Sequence, residues 1–133
     1  MTRILVLSAL TFVLAVTAIR AADQDTQEKL VQETLKNIQD ITKVLKDVQN
    51  KDQVEKAKKD VEPICTRIAD VRKRFAAAAA PTKEQEAELE KKYKAELDDA
   101  AKAFSTEFIR LMKTDFGKPL TDLIQQKAKL DAK

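Results

Sequence analysis

The sequence predicts an all-α protein: an antiparallel up-down-up three-helix bundle, coiled-coil-like, with a short C-terminal fourth helix. Three observations predict it. Apolar residues recur every three or four positions from Leu30 to Leu111, with Lys, Glu, Gln and Asp between them, which is the spacing of one helix face. No stretch sustains the every-second-residue alternation of a half-buried strand. The chain holds 3 prolines and 1 glycine in 133 residues, so breaks are few and each marks a place where a helix must end or bend.

The N-terminus comes first in the chain and stands apart from the fold. Met1-Thr2-Arg3 leads into an uncharged run from Ile4 to Val16, followed by small residues before Arg20. A basic start, a short apolar core and small residues near the end make a secretory signal peptide over residues 1–21. The apolar run is shorter than the roughly 18 residues of a spanning helix, which argues against an uncleaved single-pass anchor. Cleavage after Ala21 leaves Ile19 and Ala21 at the two recognition positions, and cleavage after Ala18 leaves Val16 and Ala18. Cleavage after Ala22 would put Arg20 where a small or apolar residue is wanted. No cysteine near the junction offers a lipoprotein-type anchor. The expected location is therefore periplasmic or secreted, with 22–133 as one helical-bundle domain.

The first helix is expected over about 26–49. Its stripe is Leu30, Val31, Leu35, Ile38, Ile41, Val44, Leu45 and Val48, and Asp25 with Glu28 fits a capping box opening near Thr26. Asn50-Lys51-Asp52 interrupts the pattern, and Asp52 followed by Glu55 signals a second start. The second helix, about 53–79, carries Val54, Ala57, Val61, Ile64, Ile68, Val71, Phe75 and Ala78 in alternating steps of three and four, the seam of a coiled coil. Pro63 falls inside this helix; because the seam keeps its phase across it, one kinked helix is preferred over two. Arg72, Lys73 and Arg74 then sit in the last turns, opposing the partial negative charge there, and Pro81 stops the alanine run in a tight hairpin at Ala80 to Thr82.

Thr82 with Gln85 predicts a capping box for the third helix, about 83–116, and Glu84, Glu86 and Glu88 suit its positive end. Its stripe runs Leu89, Tyr93, Leu97, Ala100, Phe104, Phe108 and Leu111, an 11-residue period that favours a straight or slightly right-handed path. Gly117 is placed to end it, and Pro119 to open a fourth helix, about 119–130, with Leu120, Leu123, Ile124 and Leu130.

The absences narrow the function. With no histidine, the side chain that titrates near neutrality and the commonest metal ligand are both missing, and Ser/His and Cys/His nucleophile pairs cannot form. A single glycine cannot build a phosphate-cradling loop. The formal net charge is +3, and loss of a leader carrying Arg3 and Arg20 brings it to about +1, too little to draw in nucleic acid or anionic lipid from a distance.

Individual constellations read as follows. Cys65 is the only cysteine, so it packs as a small hydrophobe, forms an intermolecular disulfide, or serves as a reactive thiol tuned by Arg67 and Arg72. Glu84, Glu86, Glu88 and Glu90 occupy alternate positions and spray around a helix, and Asp98 and Asp99 point about 100° apart, so none converges. Asp23-Gln24-Asp25 is all that resembles a calcium loop, and no metal is expected. Lys56, Lys58, Lys59 and Arg67, Arg72, Lys73, Arg74 lack the interleaved aromatics of a nucleic-acid face.

The run KDQVEKAKKDVEPICTRIADVRKRFAAAAAPTKEQEAELEKKYKAEL resembles, in rhythm, small exported α-helical bacterial proteins of unknown function. That resemblance implies export and a helical fold, and it supplies no site. The expected function is an exported, non-enzymatic interaction or scaffold protein that binds a protein partner or itself through an amphipathic helix face, with no cofactor and no small-molecule substrate. The alternative is an amphipathic lipid- or membrane-surface-binding bundle. A third reading, catalysis by carboxylates alone, would need distant acids to converge in space.

Overall fold

The computed structural model describes residues 23–128, with side chains from Gln27 onward. The leader expected over Met1 to Ala21, and the end of the last helix at Leu130, lie outside these residues. Four helices pack together: α1 (Asp23–Asp47), α2 (Val54–Ala77), α3 (Lys83–Met112) and α4 (Lys118–Ala128), with a single 3-10 turn at Lys51–Gln53. No strand occurs among the described residues.

α1 is the helix on which both long partners rest. It packs along α2 and along α3, while α2 and α3 meet chiefly through α1 and α4. Its apolar stripe is buried as its spacing predicts, with Leu30, Val31, Leu35, Ile41, Leu45 and Val48 inside and Ile38 and Val44 half-buried. The chain is already helical at Asp23, so Asp25 lies within α1 and does not cap it. Glu28, the expected capping-box partner, instead turns across to α3 and bonds Lys92 and Tyr93.

The break between α1 and α2 also uses other residues than Asp52 and Glu55. Asn50 and Gln53 occupy the two cap positions without a side-chain cap bond, and the Gln49 amide donates to Gln53 Oε1 at 2.6 Å. Glu55 pairs with Lys58 at 2.9 Å. α2 then runs unbroken through Pro63, which is exposed. The hydrogen bond proline cannot make therefore faces water, and the buried stripe on the other side is left intact.

α2 ends at Ala77, with Ala78 already extended, so the connection to α3 is Ala78–Thr82, slightly longer than a hairpin confined to Ala80–Thr82. Pro81 pushes Ala80 away from helical geometry. Gln27, itself buried, donates its side-chain amide to the Ala79 carbonyl at 2.8 Å and ties this connection to α1. The Thr82–Gln85 capping box forms in both directions, with Gln85 N–H to Thr82 Oγ1 at 3.2 Å and Thr82 N–H to Gln85 Oε1 at 3.0 Å.

α3 stops at Met112, earlier than Phe116, because Thr114 winds the chain into a tight turn. Its hydroxyl donates to the Leu111 carbonyl at 2.8 Å and accepts from the Gly117 amide at 2.9 Å. Gly117 is buried, and a Cβ there would sit 2.2 Å from the Leu111 carbonyl oxygen. That approach returns the chain so that α4 packs on α2 and α3. Leu120, Ile124 and Ala128 are fully buried in a cluster with Leu45, Val61, Cys65 and Leu111, so α4 is a member of the core and more than a tailpiece. Phe104 and Phe108 pack against the same cluster with ring centroids 5.4 Å apart. A second cluster holds Val31, Leu35, Leu89, Tyr93, Leu97 and Ala100, with Ile38 and Phe75 against it.

Two substitutions check this account by urea unfolding. Gly117→Ala forces a carbon into the Leu111 carbonyl and should cost about 1 to 3 kcal/mol. Ile124→Ala empties a fully buried site and should cost about 2 to 5 kcal/mol. An unchanged midpoint in both variants would mean that α4 is not part of the cooperative core.

Candidate functional site

The polar residues fall into two groups: those spent on holding helices together and those left on the outside. The first group is large. Tyr93, buried on α3, donates its hydroxyl to Glu28 Oε1 at 2.6 Å and accepts from Gln32 Nε2 at 2.8 Å. The Lys92 ammonium pairs with the same Glu28 carboxylate and lies 5.4 Å from the centre of the Tyr93 ring. The Lys92 hydrogen bond, and then that of Tyr93, hold the Glu28 carboxyl below the usual carboxylate range. This cluster is a clamp between α1 and α3.

Basic residues that the sequence offered as a patch are likewise engaged. Arg67 reaches Asp40 at 3.3 Å, and Arg74 pairs with Glu33 and, at 2.9 Å, with Asp70. The hydrogen bond to Glu33 raises the Arg74 guanidinium pKa, and the same bond lowers that of Glu33. Arg72 donates to the Ala128 carbonyl at 2.8 Å, tying α2 to α4. Lys58 holds Glu55, whose carboxyl is lowered by that bond. Lys58, Arg67, Arg72 and Arg74 thus bind protein groups across or along the bundle.

The acidic residues do not converge. Glu84, Glu88 and Glu90 are exposed and Glu86 is half-buried. Glu90 pairs with Lys94 at 3.3 Å. Asp98 and Asp99 are exposed on α3. Glu28, Glu33 and Glu55 are displaced downward, each chiefly by the hydrogen bond from its cation, whereas a general acid needs a raised value. Among the described residues, no group of three or more His, Cys, Asp or Glu could hold a metal ion. The side chains of Asp23 and Asp25, the expected calcium-like pair, lie outside the described ones.

Cys65 is fully buried beneath α4, beside Val61, Leu111 and Ile124. Burial pushes its thiol pKa up, the Glu62 carboxylate pushes it further, and the Lys127 ammonium acts the other way. Arg67 and Arg72, expected to favour the thiolate, are turned to Asp40 and Ala128. An intermolecular disulfide at this position requires α4 to lift first.

What remains outside is small. Ile109 and Met112, 42% and 44% exposed, are the large exposed hydrophobics among the described residues. Both lie on α3, one turn apart and off its inward stripe; their place in the sequence as apolar residues outside that stripe was the signal to look for. The surface grooves are open and lined by charge, as between α2 and α4 at Glu55, Lys59, Glu62 and Asp122, or between α1 and α3 at Lys43, Lys46, Glu96 and Asp99. Among the described residues no helix is long and apolar enough to cross a membrane. Compared with family models, with curated proteins and with solved structures, the chain matches none.

The Glu28 clamp makes stability depend on pH in a stated direction. A depressed carboxyl contributes stability above its unfolded pKa, and this is lost as pH falls through the folded value. Glu28→Gln should lower the melting temperature at neutral pH, and the two melting curves should converge as pH drops below the carboxylate range. Curves that stay parallel throughout would remove Glu28 from the acid response.

Proposed function

We propose that this chain is an exported, non-enzymatic interaction protein that engages a protein partner or another copy through an amphipathic helix face. The observation that carries this reading is the pairing of Ile109 and Met112 on the outside of α3, in a bundle whose other large apolar groups, among the described residues, are at least partly turned inward. Export rests on the sequence of residues 1–21 alone. The up-down-up path of the three long helices belongs to the same reading. In its favour, α1 meets α2 in opposite order, Glu33 with Arg74 and Asp40 with Arg67. It meets α3 in the same order, Glu28 and Gln32 with Tyr93, then Leu45 and Val48 with Arg110.

A bundle of this kind presents a fixed helix face without reorganising, so little conformational entropy is lost on binding. Glu28, Glu33 and Glu55 are each held low by the cation they pair with, so these three carboxylates are spent on ion pairs within the bundle. The lipid-surface alternative would use the same stripes by opening the bundle, but the Arg72, Arg74 and Arg110 bonds across helices oppose opening.

A photo-crosslinking side chain at Met112, in cells, should capture a protein of defined mass, while the same group at exposed Lys73 on α2 should not. Capture at neither position, together with flotation of the purified protein on anionic vesicles, would replace this reading by the lipid one.

A further inference from the structure

The outer face of α3 carries more order than two exposed apolar residues. Counting from Asp98, the outward positions are Asp98, Lys102, Ser105, Ile109 and Met112, continued by half-buried Phe116 in the turn beyond. Within α3 the steps are four, three, four and three, a heptad seam over Asp98 to Met112. It lies opposite the buried positions of the same helix, Ala100 and Leu111 among them. The inward stripe has an 11-residue period, so the outer seam is not a by-product of the inner one.

We infer that this seam is an interface with a second copy of the chain, in which α3 packs antiparallel on α3 about a two-fold axis near Glu107. The inference rests on the reading of the protein as an interaction module and names its partner. Antiparallel seams bring each position opposite one whose number completes a constant sum. The layers are then Ile109 against Ser105 of the second copy and Met112 against Lys102, with Asp98 and the turn carrying Phe116 at either end. Ile109 meets a small side chain, and Met112 meets the aliphatic stem of a lysine, which can cover apolar surface while its ammonium stays in water. A lysine in such a seam is a known register-setting device. Phe116, which also packs on its own core, marks the edge of the seam.

Charge selects the same arrangement. On the flank of the seam, Lys113 of one copy falls beside the Asp98–Asp99 pair of the other, and the two-fold repeats this contact at the far end. Lys102, Asp98, Asp99 and Lys113 are all exposed, and none of them makes an ion pair with another described residue of its own chain. A parallel pairing would instead set Lys113 beside Lys113 and Asp98 beside Asp98, which repels. The facing segment, Asp98 to Lys113, is about 22 Å long at 1.5 Å per residue. Such a patch suits a reversible dimer, not an obligate one.

Sedimentation velocity of the cleaved protein over a concentration series tests the pairing. The parent chain should shift from monomer to dimer with rising concentration. Lys113→Glu alone should abolish the dimer, because a carboxylate in place of that ammonium would face Asp98 and Asp99. The variant carrying Asp98→Lys and Asp99→Lys should also be monomeric. Mixing the two variants should restore a dimer, since both flanks are then attractive. Circular dichroism of each variant should match the parent, which keeps a folding defect separate from lost association. A parent that stays monomeric at the highest attainable concentration, or variants that dimerise as the parent does, overturns the second-copy partner. The wider reading would survive that result and falls only with the crosslinking experiment at Met112.

Discussion

The close approach of Gly117 to the Leu111 carbonyl sets where the fourth helix can go, and half of the core follows from it. A side chain at 117 would stand 2.2 Å from that oxygen, so only a residue without one lets the chain turn back within the span of Thr114 to Lys118. The turn delivers Leu120, Ile124 and Ala128 onto Leu111, Val61 and Cys65. Because α2 and α3 touch little directly, α4 is what fills the space between them at this end. Remove it, and Leu111 and Val61, now fully buried, would face water, at about 25 cal/mol for each Å² of apolar surface. At the opposite end, among the described residues, three helices meet without a fourth. There, Phe75 and the Tyr93 clamp do the closing, with a smaller apolar cluster and more polar bonds.

Helix ends raise a second constraint, since the last carbonyls of each helix lack intrahelical partners. An arginine answers it from another helix. Arg110 on α3 donates to the Leu45 and Val48 carbonyls at 2.9 and 3.0 Å, closing α1, and is itself steadied by Glu107 at 2.7 Å. Arg72 on α2 likewise bonds a carbonyl of another helix, that of Ala128 on α4. The Arg110 bonds join helix termination to helix packing, so that α1 is properly ended only when its neighbour is in place. The same economy explains why a chain with 25 basic residues shows no basic face at Arg67, Arg72 and Arg74: their charge is directed inward to carboxylates and carbonyls.

Much of this was legible in the sequence, and what was not has physical causes. Period alone places Leu30, Val31, Leu35, Ile41, Leu45, Val54, Ala57, Val61 and Ile64 in the core, and all are buried. Thr82 and Gln85 announce their cap because both partners lie within one turn. Asp25 with Glu28 and Asp52 with Glu55 carry the same local signal and do not use it, because for Glu28 a tyrosine and a lysine on another helix compete, and such partners are invisible to spacing. Thr42 and Thr121 were hidden for another reason. Their hydroxyls bond carbonyls of their own helix, Ile38 and Lys118, so each can be buried with no partner across the bundle. A binary pattern counts them as polar. The candidate surface was half visible: Ile109 and Met112 stand off the inward stripe, but only burial separates an outward apolar residue from one that a neighbour covers.

α3 thus carries two periods at once, and their mismatch limits what its outer face can do. The inward stripe follows an 11-residue repeat and holds the helix nearly straight against α1. An outward heptad seam on a straight helix drifts by about 20° per heptad, so the seam from Asp98 to Met112 drifts by about 40°. That keeps the seam within one face over this length, and it would leave the face if extended much further. A long coiled coil would require α3 to supercoil, which its packing on α1 opposes. The proposed pairing is therefore confined to the C-terminal half of α3 by the same core that orients it. Upstream, the outward positions near Lys91 and Ala95 lie on a shallow surface lined by Glu90, Lys94 and Asp98, where no large apolar residue continues the seam. In the proposed pairing, short reach and exposed charges at both ends would make register, more than area, the property that decides it.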